Sequence, residues 1–187
     1  MFLFFILNRI QEYDMLKVKI IKKEGRKSME ISNEIAMKKA IEESKINLKN
    51  NYKKGGPFGA VIVKNGKIIS SAHNTVIEKH DATAHAEVNA IRKACKKLRT
   101  HDLSDCILYT SAEPCPMCLS AIIWANIKTV YYANTKKDAD EIGFRDDMIY
   151  EYIKGNNQDI IKLHHIENEE ALEVFKEFKK LEDKKMY

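Results

Sequence analysis

The chain has 187 residues, of which 44% are hydrophobic and 32% charged, a size and balance that suit one domain with a sizeable core. The net charge is +5, but residues 1–28 hold seven basic residues against three acidic ones, a net of +4 that leaves only +1 for the rest. Domains that bind nucleic acid concentrate positive charge on one surface, so this distribution argues against a polynucleotide substrate.

The N-terminal segment, residues 1–28, is predicted to be a poorly ordered extension ahead of a single domain that spans residues 29–187. Its apolar start, residues 1–7, is far too short to span a membrane. It also lacks the basic flank and the small-residue cleavage site of a signal peptide. A short amphipathic anchor on a membrane surface is the alternative. Four cysteines favour a reducing compartment over a disulfide framework, so we expect a cytoplasmic protein without a membrane partner.

A helix and a β-hairpin are predicted for the first part of the domain. Apolar residues recur at helical spacing up to residue 50, and Ser32 or Asn33 is expected to cap the start of this helix. Two apolar runs then flank Asn65-Gly66, which is the strongest short signal for a hairpin turn. The two strands cover residues 60–63 and 67–71.

Two residues beside this hairpin are candidates for binding a planar base. Phe58 lies in the loop Gly55-Gly-Pro-Phe-Gly59, where its ring could stack on a ligand at the start of the strand. Asn74 follows the second strand, and its amide offers both a donor and an acceptor to a base edge. For the loop around Phe58, a simple turn without a function is the alternative.

A motif in two parts occupies the middle of the chain: His85-x-Glu87, followed by Pro114-Cys115-x-x-Cys118. This pattern is the signature of zinc-dependent nucleobase deaminases. It supplies three zinc ligands, His85, Cys115 and Cys118, and leaves the fourth position of the metal to water, as in catalytic rather than structural sites. Glu87 lies two residues from the histidine ligand and is the candidate proton carrier.

Both parts of the motif are predicted to lie where a helix begins. The helices cover residues 84–98 and 115–125, and Pro116 is tolerated in the first turn of the second one. Asp81 or Thr83 is expected to cap the first helix. The positive ends of the two helix dipoles then favour ionised thiols at the metal site.

Two other interpretations of the cysteines are weaker. A redox Cys-x-x-Cys pair would not need the upstream histidine and glutamate. A structural zinc site would need a fourth ligand, and Cys95 and Cys106 do not form a second Cys-x-x-Cys pair. Glu87 could also be an ordinary acid at a helix start, but its fixed place beside His85 argues against that.

A parallel pair of strands is predicted downstream, over residues 106–110 and 129–133, because a helix separates them. Both helix starts then lie outside the strand ends, where open α/β sheets bind ligands. Trp124, at the end of that helix, is expected in the core, with the lining of the pocket as the alternative.

The C-terminal part is predicted to contain a loop, a strand and a helix. Asp146 or Asp147 is expected to cap a short helix after the loop. Residues 160–166 are interpreted as a fifth strand, and residues 169–181 as an amphipathic helix. The sequence ends on an aromatic residue, Tyr187.

Together these motifs resemble those of the bacterial guanine deaminases of the cytidine-deaminase-like superfamily, from about residue 32 to the C-terminus. The segments that carry the resemblance are residues 55–63, 83–88, 90–95, 106–111 and 113–118, the pair Gly143-Phe144 with the acids that follow, and Tyr187.

The resemblance implies a three-layer α/β/α sandwich with a mixed five-stranded sheet. It implies one zinc ion per subunit and hydrolysis of guanine, a small purine base, to xanthine and ammonia. It also implies a homodimer in which the subunits exchange their C-terminal segments. The implied catalytic residues are Glu87 and Asp146, with Asp147 as a close second to the latter. The implied substrate-binding residues are Phe58, Asn74, Ala86, Trp124, Asp146 and Tyr187.

Two classes of alternative stay open. The first is a related deaminase that acts on guanosine, cytosine, an aminotriazine or tRNA adenosine, although the nearly neutral domain argues against tRNA. The second is a zinc-stabilised binding module without catalysis. Glu87 argues against such a module, because a structural zinc does not need that acid.

Overall fold

The computed structural model describes residues 30–186 and contains four strands in that range: β1 (Gly59–Lys64), β2 (Lys67–His73), β3 (Cys106–Ala112) and β4 (Thr129–Asn134). They form one mixed sheet in the order β2-β1-β3-β4. β1 is antiparallel to both of its neighbours, whereas β3 and β4 are parallel, as predicted. The predicted N-terminal extension, residues 1–28, and Tyr187 lie outside the described residues.

Seven α-helices accompany this sheet in the described range, together with a 3-10 turn at Leu48–Asn50. None of them is long and apolar enough to cross a membrane. The helices are α1 (Asn33–Ser44), α2 (Val76–Lys79), α3 (Ala86–Leu98), α4 (Pro116–Trp124), α5 (Lys136–Glu141), α6 (Asp147–Ile153) and α7 (Glu169–Lys180).

Local sequence signals predicted the start of α1 and the turn between β1 and β2 correctly. The Ser32 hydroxyl accepts a hydrogen bond of 3.3 Å from the Ile35 amide and caps α1, as predicted. The helix ends at Ser44 instead of continuing to residue 50, because the chain tightens into the 3-10 turn. In the hairpin, Asn65 and Gly66 both have positive φ, 48° and 68°, which matches the turn that Asn-Gly favours.

The core lies on both faces of the sheet. Side chains alternate along β1, so Ala60 and Ile62 face α3 and α4, while Val61 and Val63 face α1. A sheet with helices on each face thus holds α3 and α4 side by side, and their N-termini lie beyond β2 and β3 respectively. This packing brings the two parts of the motif together.

The C-terminal part differs from the prediction. Residues 160–166 form no strand, so the sheet of the described chain has four strands and not five. A strand needs a partner for its backbone, and this segment finds none within its own described chain. The helix that follows, α7, has the expected amphipathic pattern, yet all of its residues are exposed.

Candidate active site

The three predicted metal ligands meet where α3 and α4 begin. His85 is the N-cap residue of α3, and Cys115 is the N-cap residue of α4, with Pro116 in the first position of that helix. Cys118 follows in the first turn of α4. Asp81 does not cap α3 as predicted, because its carboxylate accepts hydrogen bonds from the Thr83 amide and hydroxyl. Thr83 is not the cap either; His85 holds that position, and its ring makes no capping bond.

The geometry of this group fits a zinc ion. His85 Nδ1 lies 3.6 Å from Cys115 Sγ and 3.5 Å from Cys118 Sγ. In a tetrahedral zinc site, bonds of about 2.3 Å to sulfur and 2.0–2.1 Å to nitrogen put the two atoms about 3.6 Å apart. Within the described range, no fourth histidine, cysteine or acid joins the group. The fourth position of a bound metal therefore stays open, as catalysis requires.

The two cysteines differ in their protonation. A hydrogen bond from the Cys118 thiol, and another from His85, lower the pKa of Cys115 to about 4. The same contact, together with burial and the nearby Glu87, raises the pKa of the Cys118 thiol. A metal cation replaces protons at thiol ligands, so this donor set is suited to binding a cation between the two sulfurs.

Glu87 lies beside the metal-binding group and is buried. Its Oε1 accepts a hydrogen bond of 3.2 Å from the Thr110 hydroxyl, and its Oε2 accepts one of 3.5 Å from the Cys118 thiol. Burial raises the pKa of the Glu87 carboxyl, which makes the protonated form accessible. A raised pKa suits this residue to taking up a proton and returning it during a reaction.

Thr110 is a site residue that sequence reasoning missed. It is fully buried on β3, and its hydroxyl orients the Glu87 carboxylate from the opposite side of the metal-binding group. The signal available in the sequence was only its place in a strand. Its partner is 23 positions away, so no local pattern links the two residues.

A cavity of about 470 Å³ opens beside His85. Its polar side chains include His85 and Asn74, and apolar groups provide most of the remaining wall. The other residues that line it are Tyr52, Gly55, Gly56, Pro57, Val76, Ile77, Ile142 and Phe144. An apolar cleft with a few polar groups beside a metal site is typical of a pocket for a small planar ligand.

Two aromatic rings lie near this cavity, but the predicted base contact Phe58 packs against the core and does not line it. Phe144 lines the cavity and packs edge-on against Phe58, with ring centroids 4.8 Å apart. A Cβ atom on Gly56 would lie 2.7 Å from Phe144 and 2.8 Å from Phe58, so a glycine makes room for both rings. The sequence pointed to Phe58 as a base contact, whereas Phe144 stood out only as part of the Gly143-Phe144 motif. The structure adds Phe144 to the candidate base contacts.

Asn74 is buried in the wall of the cavity, which is where a residue predicted to hydrogen-bond to the edge of a base must lie. Its backbone N–H donates to the Phe58 carbonyl at 3.0 Å. Its side-chain Oδ1 accepts from the Val76 amide at 3.1 Å. The oxygen of the amide is thus engaged by the backbone, and the Nδ2 group is the donor that Asn74 can offer to a ligand.

The structure distinguishes the two candidate acids. Asp146 is half-buried at the start of α6, where its side chain makes no capping bond. Burial and the negative charge of Cys115 raise the pKa of the Asp146 carboxyl, while His85 lowers it. Asp147 is exposed, with Oδ1 3.8 Å from Lys136 Nζ. Asp146 is therefore the less exposed of the two acids, and the charges of the metal-binding group act on its pKa.

The remaining predicted contacts lie in different environments. Ala86 is fully buried in the first turn of α3, where a helix leaves backbone N–H groups without partners. Trp124 is 64% exposed at the end of α4, so its predicted place in the core is wrong. Ile123, the preceding residue of α4, is also exposed to solvent. The assignments of Trp124 and Tyr187 to the substrate stay predictions.

Comparison with known proteins places this site in a family. Residues 30–134 match the family model for the cytidine and deoxycytidylate deaminase zinc-binding region. The chain belongs to this deaminase family. The guanine deaminase of Bacillus subtilis is 52% identical over 134 residues, which cover 71% of this chain and 86% of that relative. The predicted resemblance is confirmed, and zinc is the metal that the family binds in the matched region.

Two further comparisons, one with a second relative and one with a solved structure, bear on function and fold. The tRNA-specific adenosine deaminase of Aquifex aeolicus is 44% identical over 108 residues, which cover 57% of this chain and 69% of that relative. The X-ray structure of the Bacillus subtilis guanine deaminase matches with a TM-score of 0.76 and 45% identity, covering 84% of this chain and 99% of that one. The fold is thus shared along most of the chain.

Proposed function

We propose that this protein catalyses the hydrolytic deamination of guanine to xanthine and ammonia. The observation that carries the proposal is the position of buried Glu87, which lies against the His85-Cys115-Cys118 group beside a cavity of the right chemistry for a base. The 52% identity to a guanine deaminase supports the same substrate. The reaction adds one water to the base and releases one ammonia.

The mechanism assigns proton transfer to Glu87. Zinc bound by the His85-Cys115-Cys118 group supplies a Lewis acid that makes an attacking water available at neutral pH. Glu87 accepts a proton from that water and delivers it to the ring nitrogen beside C2, the carbon under attack. Glu87 then takes the second proton from the hydroxyl now on C2 and delivers it to the amine, which leaves as ammonia while C2 becomes a carbonyl. The backbone N–H of Ala86 stabilises charge that develops on the base.

Base selection is assigned to two side chains, Asp146 and Asn74. Guanine presents its N1–H and its C2 amine as adjacent donors, which suit the carboxylate of Asp146. The Nδ2 group of Asn74 donates to an acceptor on the base. A base without matching donors leaves the half-buried carboxylate of Asp146 unpaired, which penalises the wrong substrate.

The test is ammonia release by the zinc-loaded protein from guanine, guanosine, cytosine, adenine and an unmodified tRNA, assayed side by side. We expect release from guanine. Release from tRNA alone would favour the activity of the adenosine deaminases, which share 44% identity with this chain over 108 residues. Release from none of the five, with zinc bound, would favour a binding module without catalysis.

Asp146→Asn is expected to lower kcat/KM for guanine by about 100-fold, because a hydrogen bond to a charged group contributes about 1.5–3 kcal/mol. An amide also turns a donor towards the two donors of guanine. Asp147→Asn is the matched control, since that exposed acid lies beside Lys136, and it should keep its activity. Equal losses in both variants would contradict the assignment of Asp146.

Thr110→Val is expected to lower kcat for guanine by about fivefold, because the Glu87 carboxylate loses a bond that contributes about 1 kcal/mol. Thr110→Ser keeps the hydroxyl and should retain most of the activity. Zinc content and the thermal midpoint serve as checks that the site and the fold are intact. A valine variant with unchanged kcat would remove Thr110 from the orientation of Glu87.

We also propose a homodimer in which the subunits exchange their C-terminal segments. The apolar residues of α7 are left exposed by the described residues, 30–186, and a helix with such a stripe normally packs on another surface. Matching apolar surface is exposed on β4, at Tyr131 and Tyr132, and on α4. In the exchanged dimer, α7 of one subunit covers this surface on the other, and the C-terminal Tyr187 closes the pocket of that partner.

Phe175→Glu combined with Phe178→Glu is expected to convert the dimer into a monomer, because two charges then occupy the apolar stripe of α7. Light scattering after size-exclusion chromatography measures the change as a halved mass. Glu173→Gln on the exposed part of the same helix is the control and should remain dimeric. A dimer in both variants, or a monomeric parent protein, would rule out this interface.

We further propose that residues 29–187 act as one cytoplasmic domain. All the site residues are carried by one sheet and the helices on it, which supports a single unit. The four cysteines are free rather than paired in disulfides, in keeping with a reducing compartment.

A further inference from the structure

A buried asparagine, Asn47, lies behind the wall of the cavity, after the end of α1. Its side chain is fully buried and does not line the cavity. Its Nδ2 group donates two hydrogen bonds of 2.8 Å, one to the Gly56 carbonyl and one to the Asn74 carbonyl. Gly56 and Asn74 both line the cavity, so one side chain links two separate segments of the pocket wall.

The orientation of this amide is dictated by chemistry. A reversed amide would direct the Asn47 oxygen at two carbonyl oxygens, which can only accept hydrogen bonds. In the observed orientation, Oδ1 is the only buried side-chain nitrogen or oxygen without a partner in the described part of the chain. Burying an acceptor without a partner is unfavourable, and an apolar side chain of similar size would avoid it. The residue is therefore suited to supplying two donors and not merely to filling space.

Asn74 is the residue on which these contacts converge. Asn47 holds its carbonyl, the Phe58 carbonyl holds its N–H, and the Val76 amide holds its Oδ1. Gly55 leaves room for it, since a Cβ there would lie 2.2 Å from Asn74 Oδ1 and 2.7 Å from its carbonyl oxygen. With backbone and Oδ1 all fixed, the direction of the Nδ2 group into the cavity is fixed as well.

We infer that Asn47 is a positioning residue for base recognition, which acts through Asn74 without touching the substrate. The inference rests on the proposed function, because Asn74 must contact a base for its position to matter. Loss of Asn47 frees the Asn74 carbonyl and the Gly56 carbonyl together. The Nδ2 donor of Asn74 is then no longer held in place for the base. Binding of the base weakens, while proton transfer by Glu87 is unaffected.

The test is a double-mutant cycle of Asn47→Leu, Asn74→Ala and the combined variant, assayed with the base that the parent protein deaminates. We expect Asn47→Leu to raise KM by about tenfold and to change kcat by less than about threefold. In the Asn74→Ala background, the same substitution should change KM by less than about twofold, because the residue through which it acts is gone. Equal factors in the two backgrounds would overturn the inference and assign Asn47 a purely structural role.

Zinc per chain and the thermal midpoint establish that each variant is folded and loaded. If Asn47→Leu does not fold, Asn47→Ser takes its place, since a hydroxyl can serve one of the two carbonyls. The serine variant should show a raised KM in the parent background only, and a parental KM would overturn the inference. Failure of the proposed function is distinguishable, because the parent protein would then release no ammonia from guanine. The double-mutant cycle is then measured with the base that the parent protein does deaminate. If the parent protein deaminates no base, the quantity measured for each variant is the dissociation constant for guanine.

Discussion

Glu87→Gln is expected to abolish turnover of guanine, lowering kcat by about 1,000-fold or more, while one zinc stays bound per chain. Glutamine has the same size and can still accept the hydrogen bond from Thr110, but it cannot take up and return a proton. General acid–base catalysis by one side chain contributes about 10²–10⁴-fold, and Glu87 serves two proton transfers in the proposed reaction.

The measurement combines single-turnover ammonia release with zinc analysis of the same sample. Glu42→Gln, on the exposed side of α1, is the matched control and should behave as the parent protein does. Retention of parental kcat by Glu87→Gln would remove this residue from the mechanism. Loss of zinc together with activity would indicate instead that the variant disturbs the metal-binding group.

Cys118→Ala is expected to lose both zinc and activity. The side chain is fully buried, and its sulfur lies 3.5 Å from His85 Nδ1, so its removal leaves only two ligands for the metal. Two ligands cannot form the three-residue protein set of a catalytic zinc site. Metal binding stabilises the folded state by mass action, so the thermal midpoint of the zinc-loaded preparation should fall as well.

Zinc per chain, measured after dialysis, is the direct readout. Cys95→Ala is the matched control, because Cys95 lies further along α3 and outside the metal-binding group. It should keep one zinc per chain and normal turnover. A Cys118→Ala protein with a full complement of zinc would show that the metal is held elsewhere.

The C-terminal segment shows which structures a local sequence pattern does not predict. Residues 160–166 have the apolar character of a strand, yet a strand exists only where another backbone accepts its hydrogen bonds. The helix over residues 169–180 formed as predicted, because a helix satisfies its backbone internally. Trp124 was expected in the core because of its size, but it is exposed. Whether a large apolar residue is buried depends on which surface packs against it.

The sequence by itself determined the metal-binding group, the place of the candidate proton carrier Glu87 beside it, the hairpin and the approximate starts of the two helices at the site. The hairpin and the helix starts depend on residues within a few positions of one another, and the metal-binding group combines two such short motifs that lie 30 positions apart. Only the tertiary structure brought Thr110 to Glu87, Asn47 to Asn74 and Phe144 to the cavity, and showed Asp146 as less exposed than Asp147. Thr110 meets Glu87 across 23 positions and Asn47 meets Asn74 across 27, so these contacts arise only when the sheet and its helices pack together.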